Sequence, residues 1–104
     1  MTIQYDNFNN RITVVGTAAD IPFVVQPKGT GALQAQLTDS TATGGNARGA
    51  NAVDWQTSRS AANQVAANTG CVIGGGASNI ASSLYSGIAS GLANTSNNLV
   101  TIVA

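Results

Sequence analysis

From Gly70 onward the sequence repeats with a period of fifteen. Ile73, Ile88 and Val103 fall in one column, as do Gly76 with Gly91, Asn79 with Asn94, Ala81 with Ser96, and Leu84 with Leu99. Cys71, Ser86 and Thr101 share a column of small residues, and Gly74, Ala89 and Ala104 share another. Read backwards, Gln64-Val65-Ala66 falls on Asn79-Ile80-Ala81, a degenerate earlier copy. Fifteen residues are too few for a helical-hairpin repeat or a propeller blade. They suffice for two short strands and two turns. Residues 71 and 73 would share one face and Val72 the other, because strand side chains alternate. Copies stacked about 4.8 Å apart would align equivalent side chains into ladders. Ile73, Ile88 and Val103, with Leu84 and Leu99, are the expected apolar ladder. Gly76 and Gly91 would turn corners, where positive φ costs glycine little. Asn79 and Asn94 would form an amide ladder or fix a turn.

The chain divides into three zones. Residues 2–37 hold most of the large apolar side chains. Within them, Arg11–Val15 and Ile21–Gln26 are rich in β-branched and aromatic residues and read as strands. Asp6-Asn7 and Asn9-Asn10 suit a tight connection between the first two strands, and Pro27-Lys28-Gly29 reads as a turn. From Gly31 to Leu37 the pattern alternates, with Leu33, Ala35 and Leu37 on one face. Residues 38–69 are a Gly- and Asn-rich connecting region. A helix over Ser58–Ala67 competes there with the repeat, since Ala61, Ala62, Val65 and Ala66 share a helical face. Residues 70–104 carry the repeats.

Composition excludes several chemistries. Sixty of the 104 residues are Ala, Gly, Ser, Thr or Asn, eight are charged, and there is no Glu or His. Without His, Ser-His-Asp and Cys-His catalysis is impossible, as is His-based metal binding. One Cys provides no intrachain disulfide and no Cys-based zinc site. The four carboxylates, Asp6, Asp20, Asp39 and Asp54, are isolated in sequence, with neither a calcium-loop pattern nor an adjacent pair for glycoside hydrolysis. Gly74-Gly75-Gly76 lacks the Lys and Ser/Thr of a phosphate loop. A formal net charge of zero offers no electrostatic footprint for nucleic acid. No run of apolar residues reaches transmembrane length, and no basic, then apolar, secretory signal opens the sequence. The expectation is a protein that is not an enzyme and uses no cofactor or metal. Cys71 is expected to act as a small buried hydrophobe. Arg48 and Arg59 flank Asp54 and are expected to pair with it or with a neighbouring subunit. Together with Trp55, the sole Trp, they are also the candidates for contacting a glycan. Asn94-Thr95-Ser96 matches a glycosylation sequon, a match expected by chance in so Asn-rich a chain.

Each fifteen-residue copy offers two or three large aliphatics, too few to close a core alone. Repeat units bury their faces on neighbours, so association around a shared axis is expected, with cyclic symmetry repeating one contact. The stretch Gly70-Cys71-Val72-Ile73-Gly74-Gly75-Gly76-Ala77-Ser78-Asn79-Ile80-Ala81-Ser82 resembles the S-x-I-G-G-G-x-x-N-x-A-S-G repeats of viral and phage tail-fibre heads. It is also similar to head repeats of trimeric autotransporter adhesins. Gly44–Arg59 resembles the segment leading into such repeats, and Pro27–Gln34 a short module before it. The resemblance covers about residues 26–96. It implies an all-β chain in which N-terminal strands lead into a parallel β-solenoid or β-prism of fifteen-residue rungs, intertwined or packed as a homotrimer. The implied role is a structural and attachment module of a virion fibre or spike that meets a host cell-surface glycan or receptor. Adhesin heads repeat at fourteen residues, and Ala89-Ser90-Gly91 replaces the three glycines here, so the viral form fits better. A bacterial surface adhesin head and a polysaccharide-degrading tailspike domain are the alternatives. An ice-binding surface would need a strict Thr column. The mixed Cys71, Ser86, Thr101 column argues against one.

Overall fold

The computed structural model describes residues 2–6, 11–98 and 102–103, with the backbone alone described for 2–6 and 102–103. Two five-residue strands, β1 (Thr2–Asp6) and β2 (Arg11–Val15), pair antiparallel from Thr2↔Val15 to Asp6↔Arg11. Seven two-residue strands follow: β3 (Leu33–Gln34), β4 (Val53–Asp54), β5 (Val72–Ile73), β6 (Ile80–Ala81), β7 (Gly87–Ile88), β8 (Thr95–Ser96) and β9 (Ile102–Val103). Strands β3-β4-β5-β7-β9 form one parallel sheet, and β6-β8 form a second.

The register explains the sequence period. Ile73 pairs with Ile88 and Ile88 with Val103 in one sheet, and Ile80 pairs with Thr95 in the other. Each step is fifteen residues. Earlier steps are longer. Val53 pairs with Val72, nineteen residues on, and Leu33 pairs with Val53, twenty on. Isolated bridges locate the extra residues. Ser58 meets Ala77 at an offset of nineteen, whereas Ala66 meets Ala81 at fifteen. The four additional residues therefore lie between Ser58 and Ala66.

Three expectations are corrected. The chain is not the expected β-solenoid or β-prism. It is a small strand-and-coil structure whose parallel pairing among the described residues consists of two small sheets of two-residue strands and isolated bridges. Small residues and left-handed turns end each strand after two residues, and the changing register prevents a uniform cross-section. Ser58–Ala67 forms no helix, and no helix occurs among the described residues. The inserted residues are consumed by a loop in which Ser60 N and Ala61 N donate to Gln64 Oε1 at 2.7 and 3.0 Å. Ile21–Gln26 is not a strand either, although its residue types favour one.

The apolar core is small: Ala52, Val65, Ala66, Cys71, Ile73, Ala81 and Ile88. The radius of gyration is 15.6 Å and the extents are 46 × 27 × 26 Å. A compact domain of 100 residues has a radius of about 13 Å, so this chain is drawn out. Corners rely on left-handed backbone. Gly76 has φ of +85°, and a Cβ there would run into the carbonyl oxygen of Gly91 in the next copy.

Two substitutions test this packing. Ile88→Asp places an unpaired charge beside Ile73 in the interior, a class of change costing several kcal/mol. Its expected result is loss of the cooperative thermal transition followed by circular dichroism. Gly76→Ala combines left-handed strain with a backbone clash, and its expected cost is about 2 kcal/mol or more by urea unfolding. Wild-type midpoints for both variants would contradict the packing described.

Candidate functional site

Strand β4 and its continuation read Val53-Asp54-Trp55-Gln56. Alternation puts residues of one parity on each face. Asp54 and Gln56 are buried, whereas Val53 is half-buried and Trp55 is 49% exposed. The residues at the end of β3 and after it follow the same rule. Gln34 and Gln36 are part-buried, while Ala35 is exposed and Leu37 is 87% exposed. The first two steps of the ladder thus have a polar inner face and an apolar outer one. The inward column across the sheet is Gln34, Asp54, Ile73 and Ile88, changing from polar to apolar at β5.

The buried polar cluster is closely hydrogen-bonded. Arg48 Nε donates to Asp54 Oδ2 at 3.0 Å, with both side chains fully buried. Gln56 N donates to Asp54 Oδ1 and Ala66 N to Asp54 Oδ2, each at 3.2 Å. Gln56 Nε2 donates to the carbonyls of Gln64 at 2.6 Å and Asn79 at 2.9 Å, while Gln56 Oε1 accepts from Asn79 N at 3.0 Å. One side-chain amide therefore pairs with both backbone groups of Asn79, as a strand neighbour would. Asn79 repeats the device one step on: its Oδ1 accepts from Asn94 N at 2.9 Å, and its Nδ2 donates to the carbonyls of Gly75 and Gly91. A buried unpaired backbone group is costly, and these amides remove that cost where no strand is present.

Arg59 lies in the inserted loop and is buried. Its guanidinium donates to Gln64 O, Gln36 Oε1, Thr43 O and Gln56 O. Burial and the neighbouring Arg48 charge lower its pKa, against the opposing pull of Asp54 and Asp39. Arg48 Nη1 donates to Gly44 O and Asn46 O, and to Thr38 Oγ1 at 3.2 Å. Arg48 Nη2 is buried with no hydrogen-bond partner among the described residues. Both guanidiniums face inward, so of the three expected glycan-contact residues only Trp55 stands at the surface.

The other sequence-derived positions are distributed as follows. Ile73 and Ile88 are buried in the core. Val103 is placed by its pairing with Ile88, and Leu99 lies outside the described residues. Leu84, expected in the apolar ladder, is 41% exposed. Gly76 and Gly91 both have positive φ, and Asn94 is part-buried. Cys71 is fully buried, with Sγ 3.0 Å from Ser83 O and 3.5 Å from Ser86 Oγ. Gln56 is a functional position that the sequence expectations do not include. Its only sequence signal is the Asp54/Gln56 alternation, which by itself suggests a solvated face.

Asp39 organises an exposed loop. Its Oδ1 accepts from Thr41 Oγ1 at 2.8 Å, Thr41 N at 2.9 Å and Gly44 N at 3.0 Å. The Thr41 hydroxyl, then the Thr41 N–H, hold its carboxyl below the ordinary 3.8, with Gly44 N–H and the Arg59 charge adding to the effect.

Compared with protein-family models, with curated proteins and with solved structures, the chain matches none of them.

The cluster generates two predictions. Gln56→Ala strands both backbone groups of Asn79, and urea unfolding should show a loss of about 2–4 kcal/mol. A loss below about 0.5 kcal/mol would contradict the role given to the amide. For Asp39, the folded pKa lies below the unfolded one. Its contribution to stability is therefore present above the unfolded value and lost as pH falls through the folded value, below 3.8. Carboxyl NMR titration should show this depression, and Thr41→Val should raise the pKa toward the ordinary value.

Proposed function

We propose that this chain is a structural and attachment module of a homotrimeric viral or phage fibre. The observation that carries the reading is the inverted distribution of its apolar residues. Among the described residues, three of the seven core hydrophobics are larger than Cys: Val65, Ile73 and Ile88. Ten large hydrophobics among the described residues are exposed, including Leu37 at 87% and Leu92 at 73%. Scattered apolar residues are ordinary on a protein surface, but this many on a chain of 104 residues mark a surface that meets other protein. The similarity of Gly70–Ser82 to fibre-head repeats supplies the kind of assembly. The hydrogen-bonded interior suits a stiff element that holds its shape under load.

The mechanism is mechanical. Parallel backbone ladders and a fixed polar core keep each chain rigid, and association covers the outer apolar residues. The assembled module then presents its remaining surface to a host glycan or receptor, with localisation on the virion. Sedimentation velocity across a dilution series tests the reading. The expected species has three times the 10.4 kDa chain mass. A monomer at every concentration would contradict it.

A further inference from the structure

Residues 39–45 form a loop that is closed on itself. Asp39 N and Ser40 N donate to Gly45 O, and Gly45 N donates to Thr41 O. Asp39 Oδ1 accepts from Thr41 Oγ1, Thr41 N and Gly44 N, and Thr43 N donates to Thr41 Oγ1. Among the described residues, two hydrogen bonds join this loop to the rest of the chain, and guanidiniums donate both. Arg48 Nη1 donates to Gly44 O, and Arg59 Nη1 donates to Thr43 O at 2.7 Å. The loop therefore has the form of a lid. It is fixed internally, joined to the body at Thr38 and Asn46, and latched by two arginine-to-carbonyl bonds.

The ground beneath the lid carries more positive charge than the fold neutralises. Two buried guanidiniums share one buried carboxylate, Asp54, which pairs with Arg48. The four acceptors of Arg59 are Gln64 O, Gln36 Oε1, Thr43 O and Gln56 O, all uncharged. Arg48 Nη2 has no partner among the described residues, so a buried donor is left unused. Buried charges are ordinarily paired, and an unpaired buried donor is costly. The two guanidiniums also converge. A Cβ on Gly45 would stand 3.2 Å from Arg59 Nε and 3.3 Å from Arg48 Nη1. One acceptor group in the place of the lid would thus reach both.

We infer that residues 39–45 are a lid over an oxyanion site formed by Arg48 and Arg59. Lifting the lid frees Arg48 Nη1 and Arg59 Nη1 beside the unused Arg48 Nη2. An anion with two or more oxygens replaces the carbonyls of Gly44 and Thr43 and supplies the negative charge that those carbonyls lack. Guanidinium forks match such oxygens in geometry, and hydrogen bonds to charged acceptors are roughly twice as strong as those to neutral ones. In the closed form both arginines are buried. A ligand that binds the open form alone makes that minor conformation dominant, and its apparent affinity scales with the open fraction. The anionic group of an acidic glycan is the source we assign. That source rests on the attachment reading, whereas the site itself does not.

NMR titration tests the site with sodium sulfate and with a sulfated tetrasaccharide, against sodium chloride at matched ionic strength. The third arginine, exposed Arg11, is the internal control. With sulfate, the Nε–H signals of Arg48 and Arg59 should shift and saturate while Arg11 stays in place. The methyl signals of Val65 should follow them, because Val65 Cγ1 lies directly against Gly45. Gly45→Ala leaves the charge unchanged but strains a φ of +81° and sets a Cβ against Val65 in the closed lid. It should tighten the apparent sulfate affinity at least threefold. The wild-type titration decides by itself: shifts that never saturate, that chloride reproduces or that Arg11 shares would overturn the site. An affinity that Gly45→Ala leaves unchanged or weakens would overturn the lid. Saturable binding of sulfate without binding of the tetrasaccharide would support the site and contradict the glycan as its source. Sedimentation of the same samples reads the homotrimer separately.

Discussion

Around its two-residue strands this protein bonds part of the backbone to the backbone of the next copy, and buried side chains supply the partners at positions such as Asn79 N and Asn94 N. Asp54 accepts from Gln56 N and Ala66 N while holding Arg48. Gln56 pairs with both backbone groups of Asn79, and Asn79 in turn holds Asn94 N. The remaining architecture depends on this substitution of amide and carboxylate for strand. Without it, the turns between the short strands would carry buried donors and acceptors with no partner, at about 1–3 kcal/mol each. The Arg48–Asp54 pair is part of the same arrangement. Its net contribution over an apolar pair is small, but losing one partner would leave an uncompensated buried charge.

Placing polar groups inside has a direct consequence outside. In β3 and β4, strand alternation forces the neighbours of Gln34, Asp54 and Gln56 outward, and those neighbours are Leu33, Val53 and Trp55. The interior therefore changes along the ladder, from amides and an ion pair at β3 and β4 to Ile73 and Ile88 at β5 and β7. The change coincides with the shortening of the register from twenty and nineteen residues to fifteen. The four extra residues between Ser58 and Ala66 carry Arg59 inward and supply the Gln64 carbonyl that both Arg59 and Gln56 use. Extra chain length and polar interior belong to the same design.

The register of fifteen was legible because identical or similar residues recur in the columns that pair, such as Ile73 with Ile88. The architecture built on it was not. Repetition predicts that equivalent residues stack. It does not set how long each strand runs before Gly, Ser or a left-handed turn ends it. The polar cluster was half legible. Proximity in sequence links Arg48 and Arg59 to Asp54, but an Asp-x-Gln alternation normally marks solvent and so hides Gln56. The column of Leu84 with Leu99 suggests a core position, whereas the turn between β6 and β7 turns Leu84 outward. Ile21–Gln26 has the residue types of a strand and no strand partner among the described residues, so propensity alone does not decide its state.

The central claim is that side-chain amides do the work of strand neighbours across the turns. Native-state hydrogen exchange at the backbone amides of Asn79 and Asn94 tests it most directly. Those amides are bonded only to Gln56 Oε1 and Asn79 Oδ1 among the described contacts. The account predicts protection equal to that of Val72 and Gly74, whose amides bond to the backbone carbonyls of Ser86 and Ile88. Exchange of Asn79 and Asn94 at the rate of the exposed loop around Ser40–Thr43, while Val72 and Gly74 stay protected, would contradict it.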